Sequence, residues 1–435
     1  MALSTHAYKG ARDFYPEDKR LQKYMFDTWR RVVESFGYQE YDAPLIEPVD
    51  IYLAKTGEEI VNDQLYAFED KGGRKVAIRP EMTPSVSRMV AARRQELAYP
   101  LRWYSIPNLW RYERPQRGRL REHYQLNIDI FGVADISADH EVILVAERIM
   151  KAFDAPAGSY EIRISSRKLV NYFFRDHLKL DDKQFHDASK LIDRWHKIEK
   201  ADFEAQAKEI LPVESYYQQL LVVLNSRNLD DLPAELKDHA SVNELSKLMK
   251  LLGESGVDSA GFDFSVIRGM DYYDDIIFEV FDTSPENNRS MFGGGRYDGL
   301  VGLFGVEPLP TVGFGMGDVT LQNFLELHKL LPELEPEVDA TVILIGEVYE
   351  KAQPVLAELR EAGLNLAVDA TERKLDAKIK NAAKAGMPGV IFLGEEELSN
   401  KTFKVKHLGS GKEKVLTRDK LLKHIDQWVS GEFES

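Results

Sequence analysis

The stretch from Arg111 to Gly132 gathers the side chains best suited to chemistry: Arg-Tyr-Glu-Arg-Pro-Gln-Arg-Gly-Arg-Leu-Arg-Glu, then His-Tyr-Gln-Leu-Asn-Ile-Asp-Ile-Phe-Gly. Arg114, Arg117, Arg119 and Arg121, interrupted by Pro115 and Gly118, make a cationic segment that cannot extend a helix. A guanidinium presents two parallel N–H donors together with charge, which suits phosphate oxygens. The plain alternative is a solvated basic hairpin loop. The strand that follows favours a ligand: Leu126, Ile128 and Ile130 recur at every second position, so Gln125, Asn127 and Asp129 share the opposite face. One face is core, and the other offers two amides and a carboxylate to a small polar molecule. A cationic loop beside such a face points to a phosphorylated substrate, a polyanion, or both.

The elements needed to position this hairpin can be read along the chain. A turn-rich Lys9–Pro16 segment leads to a helix ending near Phe36, where Gly37 can stop it. Tyr38–Asp42 reads as a strand halted by Pro44. Leu65–Glu69 and Lys75–Arg79 flank Asp70-Lys71-Gly72-Gly73 as a hairpin, and Arg79-Pro80-Glu81-Met82-Thr83-Pro84 opens a helix from about Ser85. There Glu81 and Thr83 are placed to cap. Leu101–Ser105 reads as extended, Ser137–Phe153 as a helix and Tyr160–Ser165 as a strand. From Lys168 to about Gly253 the pattern is almost wholly helical, broken at Pro212 and Pro233, with Trp195, Tyr216 and Tyr217 as core anchors. Sheet is expected to resume over Phe264–Tyr273, Ile276–Phe281 and Met291–Leu300, with Gly293-Gly294-Gly295 marking a turn or a close backbone approach. After the acidic, proline-punctuated Leu331–Pro336, strands and helices alternate, which predicts a small α/β domain with both sheet faces covered.

Composition sets the outer bounds. With 435 residues, 43% of them hydrophobic, the chain supports two or three domains with a sizeable core. It has no cysteine, which excludes disulfides and thiolate metal sites and fits a reducing compartment. No apolar run has membrane-spanning length, and Met1–His6 lacks the form of a secretion signal, so a cytoplasmic protein without membrane contact is expected. A net charge of −15 argues against indiscriminate nucleic-acid binding, whereas the arginine excess between Arg88 and Arg121 allows a local, salt-sensitive contact.

The hairpin resembles motif 2 of class II aminoacyl-tRNA synthetases, and its Arg-Pro-Gln-x-Gly-Arg loop is similar to that of histidyl-tRNA synthetases. Arg268-Gly-Met-Asp-Tyr272-Tyr273 and Gly293-Gly-Gly-Arg-Tyr297-Asp-Gly resemble the two histidine-specific motifs of that family, and Thr311–Leu321 resembles motif 3. The helix, strand and proline near the N-terminus resemble motif 1. One departure stands out: motif 3 usually ends in an arginine that contacts ATP, and Thr320 occupies its place. A hydroxyl can neither stack on adenine nor neutralise phosphate.

The resemblance implies an α+β fold: an antiparallel-sheet catalytic domain in two parts (residues 1–167 and 256–330), a helical insertion (168–255), a linker (331–338) and an anticodon-binding α/β domain (339–435). It implies a ligase that activates L-histidine with ATP and Mg²⁺ and passes it to tRNA(His), acting as a homodimer. Arg111 and Arg268 are assigned to the α-phosphate and carboxylate as catalytic residues. Glu113 and Arg121 join them in binding ATP. Glu81, Thr83 and Gln125 would hold the substrate's ammonium group. Imidazole needs a donor and an acceptor, so Asp129 and Tyr273 are its expected partners, with Tyr272 and Tyr297 as walls. Arg114, Gln116, Arg117 and Arg119 fall to tRNA, and no residue is assigned to a metal. The alternative is a non-acylating relative such as the regulatory subunit of ATP phosphoribosyltransferase, which Thr320 favours; the C-terminal domain, absent from such regulators, speaks against it.

Overall fold

The structure, a computed structural model, describes residues 3–53, 63–116, 118–211, 213–267, 272–287 and 289–421. The chain divides into two compact units, one of Met1–Phe14 with Gln22–Leu331 and one of Tyr15–Leu21 with Pro332–Ser435. In the first unit the strands are β1 (Gln39–Glu40), β2 (Ile46–Pro48), β3 (Tyr66–Glu69), β4 (Lys75–Ile78), β5 (Leu101–Ser105), β6 (Asn108–Trp110), β7 (Glu122–Phe131), β8 (Tyr160–Ser166), β9 (Ala260–Phe262), β10 (Ile276–Asp282), β11 (Ser290–Arg296) and β12 (Thr311–Gly317). The large sheet runs β1-β5-β7-β12-β11-β10-β8-β9, with β6 paired to β7, and is antiparallel except at its two ends. Strands β2, β4 and β3 form a separate antiparallel sheet.

Glycine decides what the large sheet can hold. Asp129, Gly313, Gly295 and Ile277 stand abreast in one row, and Asn127, Gly315, Gly293 and Glu279 in the next. Both rows share a face, so the two central strands lay a floor with almost no side chains, and Gln125, Asn127 and Asp129 rise along one edge. The opposite face carries Ile128, Phe314, Gly294 and Phe278 abreast, all buried, and there the helices Ser137–Ala152 and Asp318–Leu327 pack. The triple glycine is thus strand with close backbone approach, and not a turn. At the end of β11, Arg296 is spent on structure: it pairs with buried Asp139 and donates to the carbonyls of Val133 (3.0 Å) and Asp135 (3.3 Å).

Two expectations need correction. The described part of 264–273 is irregular, because Asp263 turns the chain: its carboxylate accepts from the Ser265 N–H (2.9 Å) and hydroxyl (2.6 Å) instead of extending a ladder. Of the three aromatic anchors in the helical segment only Tyr217 is buried, while Trp195 and Tyr216 are half-buried. Pro212, one of the predicted breaks, lies outside the described residues.

The second unit contains β13 (Ala340–Leu344), β14 (Leu366–Asp369), β15 (Gly389–Leu393), β16 (Thr402–His407) and β17 (Glu413–Thr417) in the order β14-β13-β15-β16-β17. Apolar residues of its helices cover both faces, Leu356 and Leu359 on one and Ala382 on the other. Lys378, 5% exposed, donates to the carbonyls of Leu344 (3.0 Å) and Asp369 (3.3 Å), stopping the crevice at the carboxyl ends of the parallel strands.

A methyl group on Gly294 would meet the Gly313 carbonyl and lie 2.6 Å from Phe314 Cβ. Gly294→Ala is therefore expected to destabilise the first unit by about 1–3 kcal/mol, the usual cost of overpacking, read as a lower denaturant midpoint.

Candidate active site

A cavity of about 200 Å³ opens over the glycine floor. Glu81, Thr83, Gln125, Asp129, Tyr272, Tyr273 and Tyr297 line one part of it, and Arg111, Glu113, Gly118, Arg119 and His123 another, with Thr320 at the rim of the helix Asp318–Leu327. Residues separated by as many as 239 positions (81 to 320) thus meet in one space because the strands bearing them are neighbours.

Each wall is fixed from behind. Arg79, 5% exposed, donates to Asp42 Oδ1 (2.8 Å) and to the carbonyls of Ala43 (2.7 Å) and Asn108 (3.0 Å), holding the turn that carries Glu81. Capping does not account for Glu81 and Thr83: the cap residue of the helix Thr83–Ala92 is Met82, with no side-chain cap bond. Instead the Tyr272 hydroxyl donates to Glu81 Oε2 at 3.0 Å and lies 3.5 Å from Thr83 Oγ1. The Tyr297 hydroxyl donates to Asp129 Oδ1. The two tyrosines expected as walls therefore serve as hydrogen-bond donors to the two carboxylates, a role their aromatic spelling alone does not reveal.

Asp129 is 4% exposed, and burial pushes its carboxyl up to about 7 while the Tyr297 hydroxyl pulls the other way. At the other end, Arg111 Nε donates to the Pro80 carbonyl at 2.9 Å, which orients the guanidinium. His123, absent from the predicted set, lies on the polar face of β7 two residues before Gln125; extending the alternation backwards finds it. Burial, together with Arg111 and Arg12, lowers its pKa to about 3, so the ring is neutral at physiological pH.

Not every predicted residue arrives. Arg121 does not line the cavity: its guanidinium lies 3.9 Å from the centroid of the Tyr112 ring and Nη1 donates to the Tyr8 hydroxyl at 3.0 Å. Arg119, expected to face RNA, does line it, 3.4 Å from Glu113 Oε2. Arg114 and Gln116 are exposed outside it. Arg117 and Arg268 lie outside the described residues. Thr320 spends its hydroxyl on the carbonyls of Met291 (2.8 Å) and Gly317 (3.1 Å), and a methyl on Gly118 would sit 3.7 Å from Thr320 Cγ2. Arg12, half-buried, is paired with Asp318 at 2.6 Å, whose other oxygen accepts from the Tyr124 N–H at 2.9 Å.

Comparison with known proteins gives one consistent result. The family model described as Histidyl-tRNA synthetase matches residues 10–319, and that described as Anticodon binding domain matches residues 339–428. The chain is 43% identical over 433 residues to the histidine–tRNA ligase of Leptospira biflexa, covering 98% of this chain and 99% of that protein. It is 35% identical over 427 residues to that of Thermoplasma volcanium, covering 97% and 98%. The crystal structure of the histidyl-tRNA synthetase from Nostoc sp. PCC 7120 superposes with a TM-score of 0.82 at 24% identity, over 98% of this chain and 100% of the other, a likeness of fold.

Burying the Asp129 charge costs stability, and the sign follows from the raised pKa. Between the unfolded value of about 3.9 and the folded value of about 7 the native state binds the extra proton, so the cost grows with pH across that window and is complete above it. Asp129→Asn is expected to stabilise the ligand-free protein, by about 2 kcal/mol more at pH 8 than at pH 5.5. Denaturant unfolding at the two pH values checks this; an equal effect at both would remove the buried charge from the account.

Proposed function

The chain belongs to the histidyl-tRNA synthetase family, and from that premise we propose that its cavity joins L-histidine to ATP and then to the 3′-terminal adenosine of tRNA(His). The observation that carries this reading is the division of the cavity into a carboxylate and tyrosine end and an arginine end over a floor of glycine. The substrate's ammonium is held by Glu81, Thr83 and Gln125. Its imidazole lies between Asp129 and Tyr273, where a donor and an acceptor answer its two nitrogens. Arg111 and Arg268 then hold the histidine carboxylate and the α-phosphate. The carboxylate oxygen attacks the α-phosphorus, the bond to the bridging oxygen breaks, and pyrophosphate leaves. In the second step the adenosine hydroxyl attacks the acyl carbon and AMP leaves. Fixed guanidinium groups stabilise the charge growing at phosphorus without reorganising.

Glu113 binds ATP at the arginine end, and Arg119, which lines the cavity, joins it there in place of Arg121. Arg114, Gln116 and Arg117 remain for tRNA, with the C-terminal unit on the anticodon. Mg²⁺ enters with the ATP phosphates. The domain limits we adopt are 1–167 and 256–330 for the catalytic domain, 168–255 for the insertion, 331–338 for the linker and 339–435 for the anticodon-binding domain. The regulatory-subunit alternative is less supported, since the curated relatives match as ligases over both domains. No helix among the described residues is long and apolar enough to cross a membrane. We place the protein in the cytoplasm, where its three substrates occur.

Homodimerisation is supported by the small sheet. Ile46, Ile78 and Tyr66 stand abreast, as do Pro48, Val76 and Phe68, on one face, with Ile46 48% and Phe68 45% exposed. Such a ladder is an interface awaiting a partner, and a second copy is the partner proposed.

Histidine-dependent ATP–pyrophosphate exchange without tRNA is expected for the purified protein, with a loss of at least about 100-fold in Arg111→Ala and in Arg268→Ala. Exchange absent from the unaltered protein, with no charging of tRNA(His), would refute the reading and leave the histidine-binding alternative. Separately, Phe68→Glu combined with Ile46→Glu is expected to convert a dimer to a monomer in sedimentation; an unchanged mass would remove this face from the interface.

A further inference from the structure

The outward side of the same hairpin carries an aromatic cluster that no step above uses. Around the junction after β6 the side chains diverge: Arg111 and Glu113 line the cavity, and Trp110 and Tyr112 do not. Trp110 lies 5.9 Å from Tyr66 and 6.5 Å from Tyr8 between ring centroids, and Tyr66 lies 5.5 Å from Tyr112. The Arg121 guanidinium is 3.9 Å from the Tyr112 centroid and 5.6 Å from that of Tyr8. The chain near Tyr8 is pinned as well: the Gly10 carbonyl accepts from the N–H groups of Arg121 (2.9 Å) and Glu122 (3.1 Å). Yet Tyr8 remains 53% and Tyr112 51% exposed. Four rings and a guanidinium brace one another, and two of the rings present half their surface to solvent.

Rings ordered in this way and left open form a stacking surface, and the charge beside them indicates what stacks. Arg114 and Arg119 are exposed on the adjoining loop, and Arg114 has no ion pair among the described residues. On a chain of net charge −15 this is a local concentration of cations. A flat π-face next to positive charge fits unpaired nucleic-acid bases, whose phosphates meet the arginines while the bases lie on the rings.

We propose that Tyr8 and Tyr112, braced by Tyr66, Trp110 and Arg121, form a stacking site outside the cavity for an unpaired base at the end of the tRNA acceptor stem. This rests on the reading that tRNA(His) is the second substrate. The site orients the acceptor end while the terminal adenosine is in the cavity, and it contributes to RNA affinity without touching histidine or ATP.

The test uses the full chain and two RNA probes, a tRNA(His) transcript and the same transcript made blunt by removing every unpaired nucleotide at the end of the acceptor stem. Tyr8→Leu and Tyr112→Leu are each expected to weaken binding of the intact transcript by about 5- to 100-fold, the usual range for one base on one aromatic. Tyr8→Phe and Tyr112→Phe keep the ring and should bind within about twofold of the unaltered protein. The blunt transcript should bind the leucine variants and the unaltered protein alike, and histidine-dependent exchange without tRNA should be unchanged in all four variants. Intact-transcript binding that is equal in the leucine variants, or a loss that persists with the blunt transcript, overturns the proposal. So does dissociation of a dimer by these variants, which would make the rings a subunit contact. Because binding and exchange are read separately, an unaltered protein that fails to exchange refutes the functional reading, whereas equal binding refutes the stacking site.

Discussion

A carboxylate buried against a tyrosine hydroxyl constrains much of this molecule. Asp129 is 4% exposed, and among the described residues its hydrogen bond comes from the Tyr297 hydroxyl. A hydroxyl dipole cannot repay the desolvation of a full negative charge. The carboxyl therefore holds a proton up to about pH 7, and its charge is costly above that. An imidazole ring, with one nitrogen to donate and a pKa near that of the carboxyl, relieves that cost better than an apolar or amide side chain of similar size. On the proposed placement of histidine beside Asp129, selectivity would lie in that unfavourable ground state as much as in any contact.

The glycine floor makes that arrangement possible. Had the inward positions of β11 and β12 carried side chains, the space over the sheet would be filled as its other face is filled by Phe278 and Phe314. Removing Cβ from alternate residues on two adjacent strands hollows a cavity out of a sheet without breaking a ladder bond. The cost is borne by backbone entropy, and it is offset by the buried rings beneath. Catalytic space and core are thus the two faces of the same strands, which explains why residues widely separated in sequence are placed so closely.

Much of this was legible before the fold was known. The alternation Leu126, Ile128, Ile130 against Gln125, Asn127, Asp129 identified both the core face and the ligand face of β7, because period-two patterning survives any tertiary context in which a strand is half polar. Helix and strand positions in both units followed from similar signals. What escaped was of a different kind. The direction of a tyrosine hydroxyl depends on a partner from another strand, so Tyr272 and Tyr297 were legible as aromatics and not as donors. Arg119 and Arg121 are two residues apart in one basic loop, and only the turn at Gly118 and the aromatic cluster decide which of them enters the cavity. The irregular path after Asp263 was hidden because a side chain that satisfies its own backbone leaves no periodic trace.

The neutral ring of His123 bears on how the chemistry can be interpreted. A protein acting on histidine would ordinarily confuse its own imidazoles with that of its substrate in any titration near neutrality. Here His123, the one imidazole lining the cavity among the described residues, has been moved to about 3, far outside the working range. Where the substrate imidazole sits beside Asp129 as proposed, it and the carboxyl, pushed up to about 7, form a coupled pair. A bell in the rate between pH 5 and 8 would belong to that pair jointly, with apparent constants of the couple and of neither group alone.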